Sequence, residues 1–347
     1  MMRSMARARR RWIARTLLAV ALAGVLGIAA YLVDAAARRG ADRRPPVFRT
    51  TTTAGGARGT VSALPPGPTG LALPKKLGSL RFAVMGDTGR GDRAQYDTAN
   101  EMTRWREQFD FSFVLMLGDN IYAAGTPENY ASRFERPYKA LIDAGVTFHA
   151  ALGNHDPPGL WDYPRFNMNG NRYYTFVRQG DALPIASARA QFYALDTVNL
   201  DRDQVTWLRH ELERSRADWK ICFYHHPLYT AGRYRTAAFR LRTRLEPVFL
   251  QYGVDVGLSG HEHFYERIVV RGGVQYFTSG AGGALRRDDI GPSSWTAAGF
   301  DDDTHFMLME ISGDTLYFQA VSRTGRTVDS GAFTQRQKPK PPGTIGR

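Results

Sequence analysis

Apolar residues recur along the middle of the chain in short runs, and the first three stop at a glycine. Leu80 to Met85 runs into Gly86, Phe111 to Leu117 into Gly118, and Val146 to Leu152 into Gly153. Runs this short and this apolar predict buried strands. Between them, residues 93–108 and Pro127 to Ala144 predict helices. This β-α-β-α-β order implies parallel strands joined by crossover helices. The second half continues with a strand at Gln191 to Leu195, a helix at Gln204 to Ser215, a strand at Trp219 to Tyr224, a helix over 237–251 and a strand at Val254 to Leu258. Val274 to Thr278, Phe306 to Ile311 and Thr315 to Val321 complete the strands. Loops after parallel strands gather on one edge of a sheet, so residues far apart in sequence should meet there.

The flanks read differently. Residues 16–33 carry no charge and would reach about 27 Å as a helix, the thickness of a bilayer core. Arg3, Arg7, Arg9, Arg10, Arg11 and Arg15 precede them. The positive-inside rule then leaves 1–15 as a basic cytoplasmic segment, 16–33 as a transmembrane signal-anchor, and the remainder outside the cytoplasm. Cleavage after Ala35-Ala36-Ala37, which would release an exported protein, is the alternative. Arg9-Arg10-Arg11-Trp12-Ile13 reads either as a twin-arginine signal or as a generic basic flank. Residues 34–78 hold Arg-Pro-Pro, a Thr run and Leu64-Pro65-Pro66-Gly67-Pro68, and are expected to be a flexible linker. Residues 324–347 look like a basic, Pro-rich tail, which leaves 79–323 as the folded domain.

Charge follows the same division. The net +13 is made of +12 in residues 1–78 and +4 from Gln335 onward, so 79–334 carries −3. The basic character therefore belongs to the ends, and no nucleic-acid partner is expected. Cys222 is the single cysteine, so no internal disulfide exists. It lies in an apolar run and should be a buried thiol.

Candidate chemistry lies at the ends of the predicted strands. The blocks are Gly86-Asp87-Thr88-Gly89, Gly118-Asp119-Asn120-Ile121-Tyr122, Gly153-Asn154-His155-Asp156, His225-His226-Pro227 and Gly260-His261-Glu262-His263. Asp87, Asp119, Tyr122, Asn154, His225, His261 and His263 are oxygen and imidazole donors of the kind that suits Fe, Zn or Mn. Seven donors suffice for two adjacent metals that share one carboxylate.

The order of these blocks resembles the calcineurin-like metallophosphoesterases and, within them, the purple (tartrate-resistant) acid phosphatases. The wider superfamily has Asp-x-His in the first block, whereas Gly89 stands at that histidine's position here. Tyr122 fills the gap as in the purple acid phosphatase motif, and Tyr265-Glu266-Arg267 after the last block is similar as well. The resemblance spans about Leu80 to Val321. It implies an α/β fold, a four-layer α/β/β/α sandwich of two facing mixed sheets. It also implies a binuclear site: Asp87, Tyr122 and His263 on one metal, Asn154, His225 and His261 on the other, and Asp119 bridging.

A tyrosinate ligand calls for a strong Lewis acid, because free Tyr has a pKa near 10. Fe(III) is expected with Tyr122, and Fe(II), Zn or Mn at the second subsite. The implied reaction is hydrolysis of a small phosphate ester, most simply a monoester, by a metal-bound hydroxide. His155 would be the catalytic residue that protonates the leaving oxygen or orients the phosphate. Enzymes of this family often present a second histidine about nine residues after His225. Arg233, Tyr234 and Arg235 occupy that stretch here, so Arg233 or Arg235 is expected to bind phosphate. His226 is expected to point elsewhere, and Arg286 and Arg287 to be solvated more readily than to steer substrate. Two other functions compete: a phosphodiesterase acting on nucleotides or lipid head groups, and a non-catalytic binding module on the same fold.

Overall fold

A computed structural model describes residues 61–63, 70–180 and 188–335. The expected cytoplasmic segment (1–15), signal-anchor (16–33), most of the linker and the second half of the tail lie outside these residues. Among the described residues, no helix is long and apolar enough to cross a membrane.

Two seven-stranded mixed sheets form the framework. The first runs β1 (Val61–Ala63), β14 (Thr327–Thr334), β13 (Thr315–Ser322), β12 (His305–Ser312), β2 (Leu80–Met85), β3 (Phe113–Met116), β4 (Thr147–Ala150). The second runs β11 (Thr296–Phe300), β9 (Tyr265–Ile268), β10 (Gln275–Ser279), β8 (Val256–Ser259), β7 (Trp219–Tyr224), β6 (Arg189–Leu195), β5 (Tyr174–Gln179). Strands β2, β3 and β4 are parallel, as are β6, β7, β8 and β10.

The alternation of side chains along each strand explains the layers. In β2, Leu80, Phe82 and Val84 enter the central core, and Ala83 and Met85 face the helices. In β7, Trp219, Ile221 and Phe223 enter the same central core, while Cys222 and Tyr224 face the opposite way. The central cluster thus draws on both sheets and packs them face to face. Helices α1 (Arg93–Gln108), α2 (Pro127–Tyr130) and α3 (Lys139–Asp143) lie on the first sheet's outer face. Helices α4 (Arg202–Arg214) and α5 (Arg235–Tyr252) cover the second. The four-layer α/β/β/α order is the one anticipated.

Local signals set the helix ends. Asp92 caps α1 by accepting from the Gln95 amide at 3.2 Å, and Asp201 caps α4 by accepting from the Gln204 amide at 2.7 Å. The segment expected as one helix from Pro127 to Ala144 is broken by a π turn at Ala131–Glu135, where the Arg136 amide donates to the Ala131 carbonyl. The folded unit extends past both expected boundaries. Strand β14 reaches Thr334 rather than stopping before 324, since its edge completes the ladder of β13. At the other end, Leu73 is buried, and the Lys75 and Lys76 amides donate to the Glu310 carboxylate.

Candidate metal centre

All five sequence blocks lie at the carboxyl ends of parallel strands. Asp87 follows β2, Asp119 follows β3, Asn154 follows β4, His225 follows β7, and His261 follows β8. Face-to-face packing brings the edge of one sheet over the edge of the other, so the two halves of the chain meet here.

One group of donors contains Asp87, Tyr122 and His263. The Tyr122 hydroxyl donates to Asp87 Oδ1 at 3.2 Å and lies 3.2 Å from His263 Nε2, which in turn lies 3.3 Å from Asp87 Oδ1. A second group contains Asn154, His225 and His261. His225 Nε2 lies 2.9 Å from Asn154 Oδ1 and 3.1 Å from His261 Nδ1. Asp119 stands between the groups. Its Oδ1 is 3.5 Å from His225 Nε2, and its donor atom lies within 4.8 Å of those of Asp87 and His263. Donors bonded to one cation at about 2.0–2.2 Å sit roughly 3 Å from each other. The spacings within each group match that requirement, and the residue types suit Fe, Zn or Mn.

The backbone is held in an unusual shape to achieve this. Asp87, Asp119 and His261 adopt left-handed φ values of 56°, 52° and 68°. Each such non-glycine residue costs about 1 kcal/mol or more, and strain of this kind concentrates at functional sites. Gly89, where the superfamily has its histidine, runs close against the next loop. A Cβ at that position would lie 2.0 Å from the Asn120 carbonyl oxygen, so no side chain fits, and Tyr122 reaches the same donor group from the next loop. Gly153 is equally constrained, since a Cβ there would meet the Asp119 amide at 2.0 Å.

Supporting hydrogen bonds fix the donors. His225 Nδ1 donates to the Leu117 carbonyl at 2.9 Å, which leaves Nε2 with a lone pair aimed inward. The His261 amide donates to Asp87 Oδ2 at 2.7 Å, and the His155 amide to Asp119 Oδ1 at 2.8 Å. Half-buried Asp156 collects four N–H donors, from the Asn120, Ile121 and Gly153 amides and from Asn120 Nδ2. It thereby ties the second block to the third.

Electrostatics push each titratable donor toward its neutral form. Burial, then Asp119, raises Asp87 well above the carboxylate range, and burial raises Asp119. Burial, followed by Asp87 and Asp119, raises the Tyr122 hydroxyl. Burial lowers His225, burial and then His225 lower His261, and burial and then Arg286 lower His263 to about 3. Neutral imidazole is the ligating form. Two acids buried side by side need positive charge beside them, and a cation bound to both reverses their shifts.

His155 is exposed at the mouth of the site, its ring 4.9 Å from that of Tyr122. His226 departs from expectation. Strand β7 ends at Tyr224, so alternation no longer governs the next residues, and the His226 ring packs 4.3 Å from that of His261. The donor atoms of His225, His226 and His261 lie within 4.8 Å of one another.

The two arginines expected at the phosphate are engaged elsewhere, and this corrects their placement. Arg233 is bidentate to Asp289, and Arg235 donates to the carbonyls of Gly232, Ala231 and Pro292. Both face the loop they stabilise. Arg286, expected at the surface, instead places Nη2 3.5 Å from His263 Nε2. Sequence spacing contained no signal for that contact, because it depends on the turn after β10.

Residues 80–265 match the family model described as calcineurin-like phosphoesterase. Tartrate-resistant acid phosphatase type 5 of Homo sapiens is 24% identical over 302 residues, covering 75% of this chain and 93% of that protein. Purple acid phosphatase 7 of Arabidopsis thaliana is 26% identical over 291 residues, covering 72% of this chain and 88% of that protein. Among solved structures, that titled "GAP50 the anchor in the inner membrane complex of Plasmodium" superposes with a TM-score of 0.67 at 21% identity, covering 75% of this chain and 90% of the other. This last likeness concerns the fold alone.

Proposed function

Because the chain belongs to the calcineurin-like phosphoesterase family and is a metal-dependent phosphoric ester hydrolase, we propose that it hydrolyses phosphomonoesters at a binuclear centre built from the seven donors above. The observation that carries this reading is Asp119, whose carboxylate stands between two complete donor groups. Asp87, Tyr122 and His263 would hold one cation, Asn154, His225 and His261 the other, and Asp119 both. The proposed pair is Fe(III) beside Tyr122 with Fe(II), Zn or Mn beside His225.

Bound there, the metals supply Lewis acidity that acidifies water and neutralises charge on the phosphate oxygens. The protein orients and supplies protons. A ring nitrogen of exposed His155 donates to the leaving oxygen, while its backbone amide holds Asp119 in place. His225 Nδ1 stays protonated against Leu117, so its Nε2 cannot rotate away. Similarity to acid phosphatases supports the monoester preference.

Metal analysis of purified protein, run beside an aryl phosphate and its bis-ester, tests the reading. About two metals per chain with faster monoester turnover supports it, whereas dominant bis-ester turnover favours the phosphodiesterase. Tyr122→Phe should abolish a visible tyrosinate-to-iron band while leaving the fold intact. A wild-type protein that is fully active yet colourless contradicts the assignment of Fe(III) to Tyr122.

We further infer a membrane tether with the enzyme on the extracytoplasmic side, supported by the uncharged 16–33 run and the arginines before it. In cells expressing the full chain, the protein should stay with membranes through alkaline carbonate washing. A soluble, shortened product would indicate cleavage instead.

A further inference from the structure

We propose that Arg286 binds the substrate phosphate and selects monoester dianions over diester monoanions, an inference that rests on the phosphatase reading above.

Arg286 is anchored to the last donor block, since its amide donates to the His263 carbonyl at 3.1 Å. Its side chain is only 22% exposed, and Nη1 is buried without a hydrogen-bond partner. The nearest acids are Glu262 Oε2 at 3.8 Å and Asp289 Oδ2 at 3.9 Å, both beyond hydrogen-bond range. Glu262 Oε2 has no hydrogen-bond partner of its own, and the other carboxylate oxygens nearby serve other groups. Glu262 Oε1 accepts from the Thr230 hydroxyl and the Tyr234 amide, and Asp289 accepts from Arg233. The carboxylates therefore hold the guanidinium electrostatically without saturating its donors.

Aromatic contacts set its position. The Arg286 guanidinium carbon lies 5.5 Å from the centre of the Tyr234 ring, and that ring lies 4.2 Å from the His261 ring. Arg286 thus touches the first donor group through His263 and leans over the second through Tyr234. Arg233 and Arg235 are turned away from His263, Arg233 by its bidentate contact with Asp289 and Arg235 by the carbonyls of Gly232, Ala231 and Pro292.

A planar guanidinium with unpaired N–H groups matches the oxygens of a phosphate. A monoester dianion carries one more negative charge and one more unesterified oxygen than a diester. A fixed cation at this rim therefore favours the monoester, beyond what the metals contribute to both substrates.

The test compares metal-loaded wild type, Arg286→Met, Arg286→Lys and, as a neighbouring exposed control, Arg287→Ala. Metal content and thermal unfolding establish that each variant is intact. Arg286→Met should lower kcat/KM for an aryl monoester by about 10- to 100-fold, the loss of a charge-assisted hydrogen bond, and lower that for the bis-ester much less. Inorganic phosphate, titrated calorimetrically, should bind more weakly by a similar factor. Arg286→Lys should recover part of the loss, and Arg287→Ala should match wild type. Equal losses on both esters with unchanged phosphate affinity would overturn the inference and leave the phosphatase reading standing. Should wild type turn over neither ester, the phosphatase reading and the selection fall together. The phosphate titration then still decides whether Arg286 binds the anion.

Discussion

Replacing Asp119 with alanine should remove metal and activity together. Asp119 is 1% exposed, lies against both donor groups, and among the described residues is the carboxylate placed to be shared between two cations. Deleting partners that merely support a ligand typically costs about 10- to 100-fold in metal affinity. Loss of a shared ligand should exceed that, so kcat/KM should fall by more than about 10³-fold and the metal content to one or fewer per chain. Asp119→Asn separates charge from shape. The amide oxygen can still accept from the His155 amide, so the loop stays in place while the negative charge is gone. It should fold and melt cooperatively yet lose metal nearly as completely as the alanine variant. Full retention of two metals in Asp119→Asn would show that the carboxylate is not shared, and the binuclear reading would fail.

His155→Ala should give a loss of comparable size with a different signature. General acid catalysis contributes typically 10²- to 10⁴-fold. His155 is exposed and rests its ring on Tyr122, and alanine keeps the backbone amide that holds Asp119, so its removal leaves the donors in place. Metal content should therefore stay at two per chain. The drop in kcat should be largest for an alkyl phosphate, whose leaving oxygen needs a proton, and smaller for an activated aryl phosphate. A uniform drop across leaving groups would indicate that His155 orients phosphate rather than delivering the proton. Concurrent loss of metal would indicate a structural role transmitted through the Asp119 contact.

These expectations draw unequally on sequence and structure. The strands that carry Asp87, Asp119, Asn154, His225 and His261 were legible because each is a mainly apolar run, buried on both faces along most of its length. Strands β9, β11 and β14 were not. In β9, Glu266 and Arg267 interrupt the apolar pattern and are accommodated only by distant partners. Glu266 accepts from the Ala231 amide and the Thr296 hydroxyl, and Arg267 pairs with Asp329 at 2.7 Å. Strand β11 is largely small residues, and β14 mixes polar, small and apolar residues without regular alternation. Both exist because a neighbouring strand offers an open ladder, a condition no local window reveals.

The same division holds within the site. Residue identity and order, read with the family resemblance, were enough to pick out seven candidate donors that the structure brings together, and His155 beside them. Donor chemistry and strand ends are local properties, written in the type of residue and the run before it. The fates of the arginines, and the direction of His226, belong to the tertiary structure alone. Asp289 claims Arg233, backbone carbonyls claim Arg235, and the turn after β10 carries Arg286 to His263. A long flexible cation goes wherever packing leaves the nearest acceptor, and acceptors distant in sequence come into reach only once the two sheets have closed.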